Sequence, residues 1–118
     1  MANIICAGGA STVTMLASLT NVQTSNTAIS GTNNWKKYDA IYLECTMHFL
    51  DANTKAILTN LILTNNVLIG EKYFPIRTFG GNNAELGIRC IFSENVINIS
   101  KDVHIYDVVK LNIYGVNF

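Results

Sequence analysis

The sequence predicts an all-β protein built as an antiparallel β-sandwich, jelly-roll-like, with a barrel-like closure as the alternative. Apolar and polar residues alternate with a period of two in several segments, which is typical of half-buried strands. Turn-forming Asn and Gly clusters separate these segments every 8 to 12 residues, as in known sandwiches. The 118 residues, 49% of them hydrophobic, are enough for one core. We therefore expect a single domain spanning residues 1–118.

The clearest predicted strand lies in the stretch NNWKKYDAIYLECTMHFLDANTK, residues 33–55. From position 41 to 49 every odd residue is apolar, whereas the even positions hold Tyr, Glu, Thr and His. The same alternation recurs at 84–92 and 109–114, and more weakly at 13–19. Each of these segments should place one apolar face against the core.

Five clusters with turn chemistry separate the predicted strands. They are GTNN at Gly31, DANT at Asp51, TNN at Thr64, GGNN at Gly80 and SEN at Ser93. Residues 54–69 partly fit a helical face as well, but their Thr and Asn residues are poor helix formers. We therefore favour a strand over a helix there.

The composition excludes several classes of partner. The formal net charge is zero and only 14% of the residues are charged, so neither nucleic acid nor an anionic membrane surface is attracted over a distance. No stretch approaches the ~20 apolar residues of a membrane span, and the N-terminus lacks the features of a secretion signal. We expect synthesis in a reducing cytoplasm, with release by lysis, and association into an oligomer that covers apolar surface.

The candidate catalytic groups do not form a convincing set. Glu44 and His48 share a strand face but are roughly 13 Å apart, too far for one metal ion. Cys6, Cys45 and Cys90 lack CxxC spacing and are expected to be buried or idle thiols, and a pairing of Cys90 with His104 has no support in the sequence. We predict no enzyme activity, no cofactor and no metal; a small hydrolase is the least favoured alternative.

Aromatic residues with Asn and Lys neighbours are the better candidates for contact; they are Trp35, Tyr38, Tyr42 and Tyr73. Trp35 and Tyr38 lie beside Lys and Asn residues, a combination that suits recognition of a sugar or a protein surface. A carbohydrate site would use these rings with Asn82 and Asn83. The alternative reading is that Trp35 covers one end of the sandwich as a core residue.

Two motifs carry a resemblance to a known group of proteins. The run NNWKKYDAIYLEC includes Tyr38 and Asp39, and the chain closes on VVKLNIYGVNF. Together they resemble the C-terminal receptor-binding or tip domains of bacteriophage tail fibres, tailspikes and related prophage or tailocin fibres. The resemblance covers about residues 13–116, and its motifs are short.

The resemblance implies a β-sandwich that forms a homotrimer at the distal end of a fibre and contacts host surface polysaccharide. Its closing motif, Ile113, Tyr114 and Gly115, is expected to take part in assembly. The chain carries no shaft, so it is expected to be an excised domain or an internal-start product that joins the full-length fibre and travels with the virion tail. The alternative is a structural cap that trimerises a tailspike without touching the receptor.

The closing strand, residues 108–118, is expected to be integral to the sheet. Val109, Leu111 and Ile113 should share its buried face. Gly115 falls on the same face, and we predict that a neighbouring chain or ring comes close to its backbone.

Overall fold

The computed structural model describes residues 5–6, 9–49, 54–79, 85–101 and 106–118. In these ranges the regular structure is β-strand apart from two 3-10 turns, without α-helix, so the predicted all-β class is confirmed. The strands are β1 (Ile5–Cys6), β2 (Gly9–Ala10), β3 (Thr12–Thr20), β4 (Thr27–Ile29), β5 (Ala40–Phe49), β6 (Thr54–Leu63), β7 (Lys72–Phe79), β8 (Glu85–Phe92), β9 (Ile97–Lys101) and β10 (Tyr106–Asn117).

Two four-stranded antiparallel sheets pack against each other. The first sheet has the order β3-β10-β5-β6 and the second β4-β9-β8-β7, while β1 and β2 form a separate pair. The consecutive strands β3 and β4 lie in different sheets, as do β9 and β10, which gives this half the winding of a jelly roll. The other half is local, because β5–β6 and β7–β8–β9 are joined as hairpins. The result is the predicted antiparallel β-sandwich.

The core lies between the two sheets and follows the predicted alternation. Strand β5 contributes Ile41, Leu43, Cys45 and Met47, all fully buried, while residues 42, 44, 46 and 48 turn to the opposite face. Strands β8, β9 and β10 supply the remaining fully buried apolar side chains. Burial of each large aliphatic side chain contributes roughly 1.5–3 kcal/mol, so this layer dominates the stability of the domain.

Strand β10 is central to the first sheet, with β3 on one side and β5 on the other. The expectation that the closing segment is integral is therefore confirmed. Leu111 and Ile113 are buried as predicted, but Val109 is exposed and Val108 takes its place in the core. The reason is a register shift between Val108 and Lys110, where one extra residue reverses the alternation.

Strand β6 confirms the preference for a strand over a helix, but it ends earlier than the segment considered. The strand runs to Leu63, and a single 3-10 turn follows at Thr64–Asn66. A second 3-10 turn, Trp35–Lys37, leads into β5. These two turns determine which side chains surround the depressions described below.

The four edge strands of the sandwich differ in regularity. Strand β6 pairs with β5 through ten consecutive residues without a register shift. Strand β7, at the corresponding edge of the second sheet, contains Pro75 and a register shift between Tyr73 and Ile76. The Asn60 side-chain amide donates to the carbonyl of Pro75 and so joins β6 to β7. At the other two edges, β3 shifts register near Leu16 and β4 is three residues long.

Candidate functional site

Trp35 lies in the core, so its assignment as a sugar-stacking ring is wrong. Its side chain is 3% exposed, and its indole Nε1 donates a hydrogen bond of 2.9 Å to the Ser93 carbonyl. The ring packs edge-on against Phe92, with centroids 4.8 Å apart. Because stacking on a sugar requires an exposed ring face, the alternative reading of Trp35 as a core residue is the correct one.

Tyr38 is buried as well, which makes its assignment to a sugar site wrong. Its side chain is 7% exposed, and the ring lies directly over Gly115. A Cβ atom at Gly115 would come within 2.5 Å of the Tyr38 Cγ atom. The predicted close approach at Gly115 is therefore confirmed, and the neighbour is a ring of the same chain.

The proposed assembly residues are buried inside the single chain. Ile113 belongs to the core, and Gly115 is covered by Tyr38. Tyr114 points to the opposite face of the sheet and is also buried. Its hydroxyl oxygen lies 3.5 Å from Glu44 Oε1, and its ring lies close to the Tyr42 ring. Contacts between copies need surface that is open in the free chain, so these three residues were wrongly assigned to assembly.

The Glu44 side chain has a structural role on this outer face. Its Oε1 accepts a hydrogen bond of 3.2 Å from Asn112 Nδ2, and Asn112 Oδ1 accepts one of 2.7 Å from Ser18 Oγ. Burial, together with the negative charge of Glu44, raises the pKa of Tyr114. These bonds tie the side chains of β3, β10 and β5 together.

The described thiols are poorly suited to nucleophilic chemistry. Cys45 and Cys90 are free thiols, and both are fully buried. Burial raises the pKa of Cys45 to about 12, and it raises the pKa of Cys90 as well, so both remain protonated near neutral pH. Within the described residues no three His, Cys, Asp or Glu side chains come together as metal ligands. Asn82, Asn83 and His104 lie outside the residues that the structure describes.

A groove between the edge strands β6 and β7 brings together aromatic and amide side chains. We call it the β6–β7 groove; its volume is about 420 Å³, within the range of small-molecule sites. It is lined by Asn60, Leu61, Ile62, Leu63, Asn66, Tyr73, Phe74 and Pro75. None of these described lining residues is charged. The groove exists because the edges of the two sheets converge here, where the Asn60 amide reaches the Pro75 carbonyl.

The aromatic wall of the groove is held in place by specific contacts. The Tyr73 hydroxyl accepts a hydrogen bond of 2.7 Å from the Leu68 amide, and its ring packs edge-on against Phe92 at 6.1 Å. Phe74 is half-buried, and the guanidinium carbon of Arg77 lies 5.0 Å from its ring centroid. Both rings therefore have one anchored side and another that borders the groove.

The 3-10 turn Thr64–Asn66 separates this groove from a second depression of about 240 Å³. That depression is lined by Trp35, Lys36, Thr64, Asn65, Val67 and Ile69. Lys36 forms an exposed ion pair with Glu94 at its side. Asn66 borders the β6–β7 groove and Asn65 borders the second depression, so one turn presents an amide to each.

Sequence reasoning singled out Tyr73 as an aromatic of interest but missed Phe74, Asn60 and Asn66. The available signal was the pair of adjacent aromatics before the only proline, together with the Asn-rich TNN turn. Neither signal shows that the two segments meet, because the contact joins the edges of different sheets.

Comparisons with protein-family models, curated proteins and solved structures found no significant match to this chain. In the parts of the chain that are described, the structure holds no helix capable of crossing a bilayer.

Proposed function

We propose that this protein is a non-enzymatic carbohydrate-binding module that forms a homotrimer at the tip of a bacteriophage tail fibre or tailspike. The observation that carries the binding proposal is the β6–β7 groove, in which two aromatic rings face a site with amide side chains. The fibre context and the trimer rest on the resemblance of the NNWKKYDAIYLEC and VVKLNIYGVNF segments to fibre-tip domains.

The lining of the groove matches the chemistry of a sugar ring. A pyranose has an apolar C–H face that packs against an aromatic ring, and hydroxyls that need hydrogen-bond donors and acceptors at its rim. Phe74 offers the apolar surface, while Asn60 and Asn66 offer amide groups that both donate and accept. Because the described lining residues carry no charge, the groove favours a neutral sugar over an anionic one.

The second depression suggests that the bound glycan is a chain. The turn Thr64–Asn66 borders both depressions, so an oligosaccharide crossing this turn would meet Asn66 first and Asn65 next. A polysaccharide on a host surface presents repeated units of this kind. We therefore propose an oligosaccharide of at least two residues as the ligand, in agreement with a receptor-binding role.

A structural cap without receptor contact is the second candidate, and one observation favours it. The two rings expected to contact sugar, Trp35 and Tyr38, both serve to hold the sandwich together. In this alternative the groove is a by-product of converging sheet edges, and the module only locks three fibre chains together.

Titration with host-surface oligosaccharides tests the proposal. Phe74→Ala removes the stacking surface and should weaken binding at least about tenfold, which corresponds to 1.4 kcal/mol. Phe118→Ala is the matched control, because Phe118 is an exposed aromatic that does not line the groove. Unchanged affinity in Phe74→Ala would place the ligand elsewhere. A wild-type protein that assembles but binds no oligosaccharide would favour the structural cap.

A further inference from the structure

The edge strands of the two sheets differ in the features that prevent pairing with another chain. Both edges of the second sheet are protected: β4 is only three residues long, and β7 carries Pro75 and a register shift. Proteins use short strands, prolines and bulges to prevent an edge from pairing with another chain. The edges of the first sheet, β3 and β6, are nine and ten residues long and contain no proline. Strand β3 has one register shift, at Leu16, whereas the pairing of β6 is unbroken.

From this contrast we infer that the first sheet continues from one copy of the chain into the next. Residues 55–59 of β6 would pair antiparallel to β3 of the neighbouring copy, and residues 60–63 would remain free to line the β6–β7 groove. This inference rests on the proposed homotrimer and specifies how its copies meet. In a closed ring of three, the four strands of each copy would join into one continuous sheet of twelve.

Strand β6 has the properties of an open pairing edge. It is uncharged from Ala56 to Leu63, and its register with β5 is unbroken. The Thr64 amide donates to the Asp39 carbonyl, so the even-numbered residues of β6 direct their backbone groups toward β5. Because hydrogen-bonding direction alternates along an antiparallel ladder, the odd residues from Lys55 to Leu63 direct theirs outward.

Strand β3 is a suitable partner in length, direction and charge. It holds no charged residue, and among the described strands it pairs only with β10. The three ladders β3·β10, β10·β5 and β5·β6 are all antiparallel, so β3 and β6 run in opposite directions. Rotating a copy about an axis parallel to the strands therefore brings its β3 antiparallel to β6 of the first copy.

The outer face of the first sheet supports the same arrangement. Met15 is 51% exposed and Ile57 68%, although both are large apolar side chains. By register they share this face, because Met15 lies opposite Tyr114 and Ile57 lies opposite Thr46. Closing the ring would turn the face toward the three-fold axis and remove these side chains from water.

Two charge-insertion variants test the pairing, with a third as the matched control. Thr59→Lys places an ammonium group on β6 and Thr14→Lys places one on β3, both at exposed positions outside the β6–β7 groove. Thr27→Lys adds the same charge to the exposed edge of the second sheet. Light scattering should give three times the 13.0 kDa chain mass for wild type and Thr27→Lys, and the single mass for the other two. Circular dichroism should show that all three variants remain folded.

A mixture of the two assembly-deficient variants distinguishes this pairing from a symmetric one. A Thr14→Lys chain keeps its β6 and a Thr59→Lys chain keeps its β3, so the mixture should form a dimer and stop there. The inference is overturned if either folded variant, Thr14→Lys or Thr59→Lys, still forms a trimer. A monomeric wild type would overturn the trimer itself. A wild-type trimer that binds no oligosaccharide would instead refute the proposed receptor role and leave the pairing intact.

Discussion

The contact between Gly115 and Tyr38 leads to a prediction about stability. Gly115 lies in the central strand β10, and a Cβ atom there would be 2.5–2.6 Å from three carbons of the Tyr38 ring. Ordinary contacts between carbon atoms are about 3.5–4.0 Å, so Gly115→Ala would produce an overlap of roughly 1 Å. The ring has little freedom to retreat, because the Tyr38 amide donates to the Trp35 carbonyl and the Tyr38 carbonyl accepts from Thr64 Oγ1.

We expect Gly115→Ala to lower the free energy of unfolding by about 1–3 kcal/mol, the usual cost of overpacking a core. A domain of this size is stable by only about 5–15 kcal/mol, so the change is readily measured. Tyr38→Ala alone should cost about 3–5 kcal/mol through loss of the buried ring. In the Tyr38→Ala background, however, adding Ala at position 115 should be close to neutral, because the obstruction has been removed.

Urea unfolding followed by circular dichroism at a fixed protein concentration would measure this double-mutant cycle. Gly70→Ala is the control, because Gly70 has φ of +84° and an added Cβ would have nothing within 4 Å. Any loss of stability in this variant therefore comes from the strained backbone conformation and not from a steric clash. That cost should be the same with or without the Tyr38 ring. If Gly115→Ala is destabilising by an equal amount in both backgrounds, the ring is not the cause and the reasoning fails.

The remaining predictions concern the core and the central strand. Folded Cys45 retains its proton up to about pH 12, whereas the unfolded thiol ionises near pH 9.0. Ionisation therefore favours the unfolded state above pH 9, and the free energy of unfolding should fall by up to about 1.4 kcal/mol per pH unit for each buried thiol. Between pH 9 and pH 10, below the range in which an unfolded tyrosine ionises, Cys45→Ala or Cys90→Ala should roughly halve the slope of the urea midpoint against pH. An unchanged slope would contradict this cause. Truncation after Asp107 removes most of β10 and should leave an unfolded chain by circular dichroism, so a folded product would show the strand to be dispensable. Thr32→Val removes a buried hydroxyl that accepts a hydrogen bond of 3.0 Å from the Ile97 amide. The amide would be left without this acceptor, so the free energy of urea unfolding should fall by about 1–3 kcal/mol. A loss below about 0.5 kcal/mol would argue against the role of this bond.

Much of the fold was predictable because apolar and polar residues alternate along most of the longer strands. Strand β5 carries a regular apolar face, as does β10 beyond its register shift, and the burial of Leu43 and Leu111 follows from that pattern alone. Strand β4 has only three residues, too few to give a periodic signal, and β7 is interrupted by Pro75. The exchange of Val109 for Val108 in the core depends on a bulge, which arises from pairing with β5 and not from the local sequence.

The candidate site was less predictable for a different physical reason. Polar neighbours made Trp35 look accessible, but the 3-10 turn at Trp35–Lys37 directs its ring inward while the two lysines remain in water. The β6–β7 groove combines Asn60 and Phe74, which belong to different sheets. Proximity of this kind is a property of how the sheets pack, and a single sequence gives no periodic signal for it.

The central position of β10 also determines how the protein can reach its native state. The Ser18–Asn112 hydrogen bond joins residues 94 positions apart, and the whole β3·β10 ladder closes loops of similar length. Chains dominated by such distant pairings fold slowly, typically on millisecond to second timescales, because loop closure costs entropy before any contact is gained. Until residues 106–117 have left the ribosome, β3 and β5 have no strand to pair with between them, so the first sheet forms only after synthesis has passed this segment. The local meander β7–β8–β9 has no such requirement, and hydrogen exchange during refolding should detect its protection before that of the first sheet.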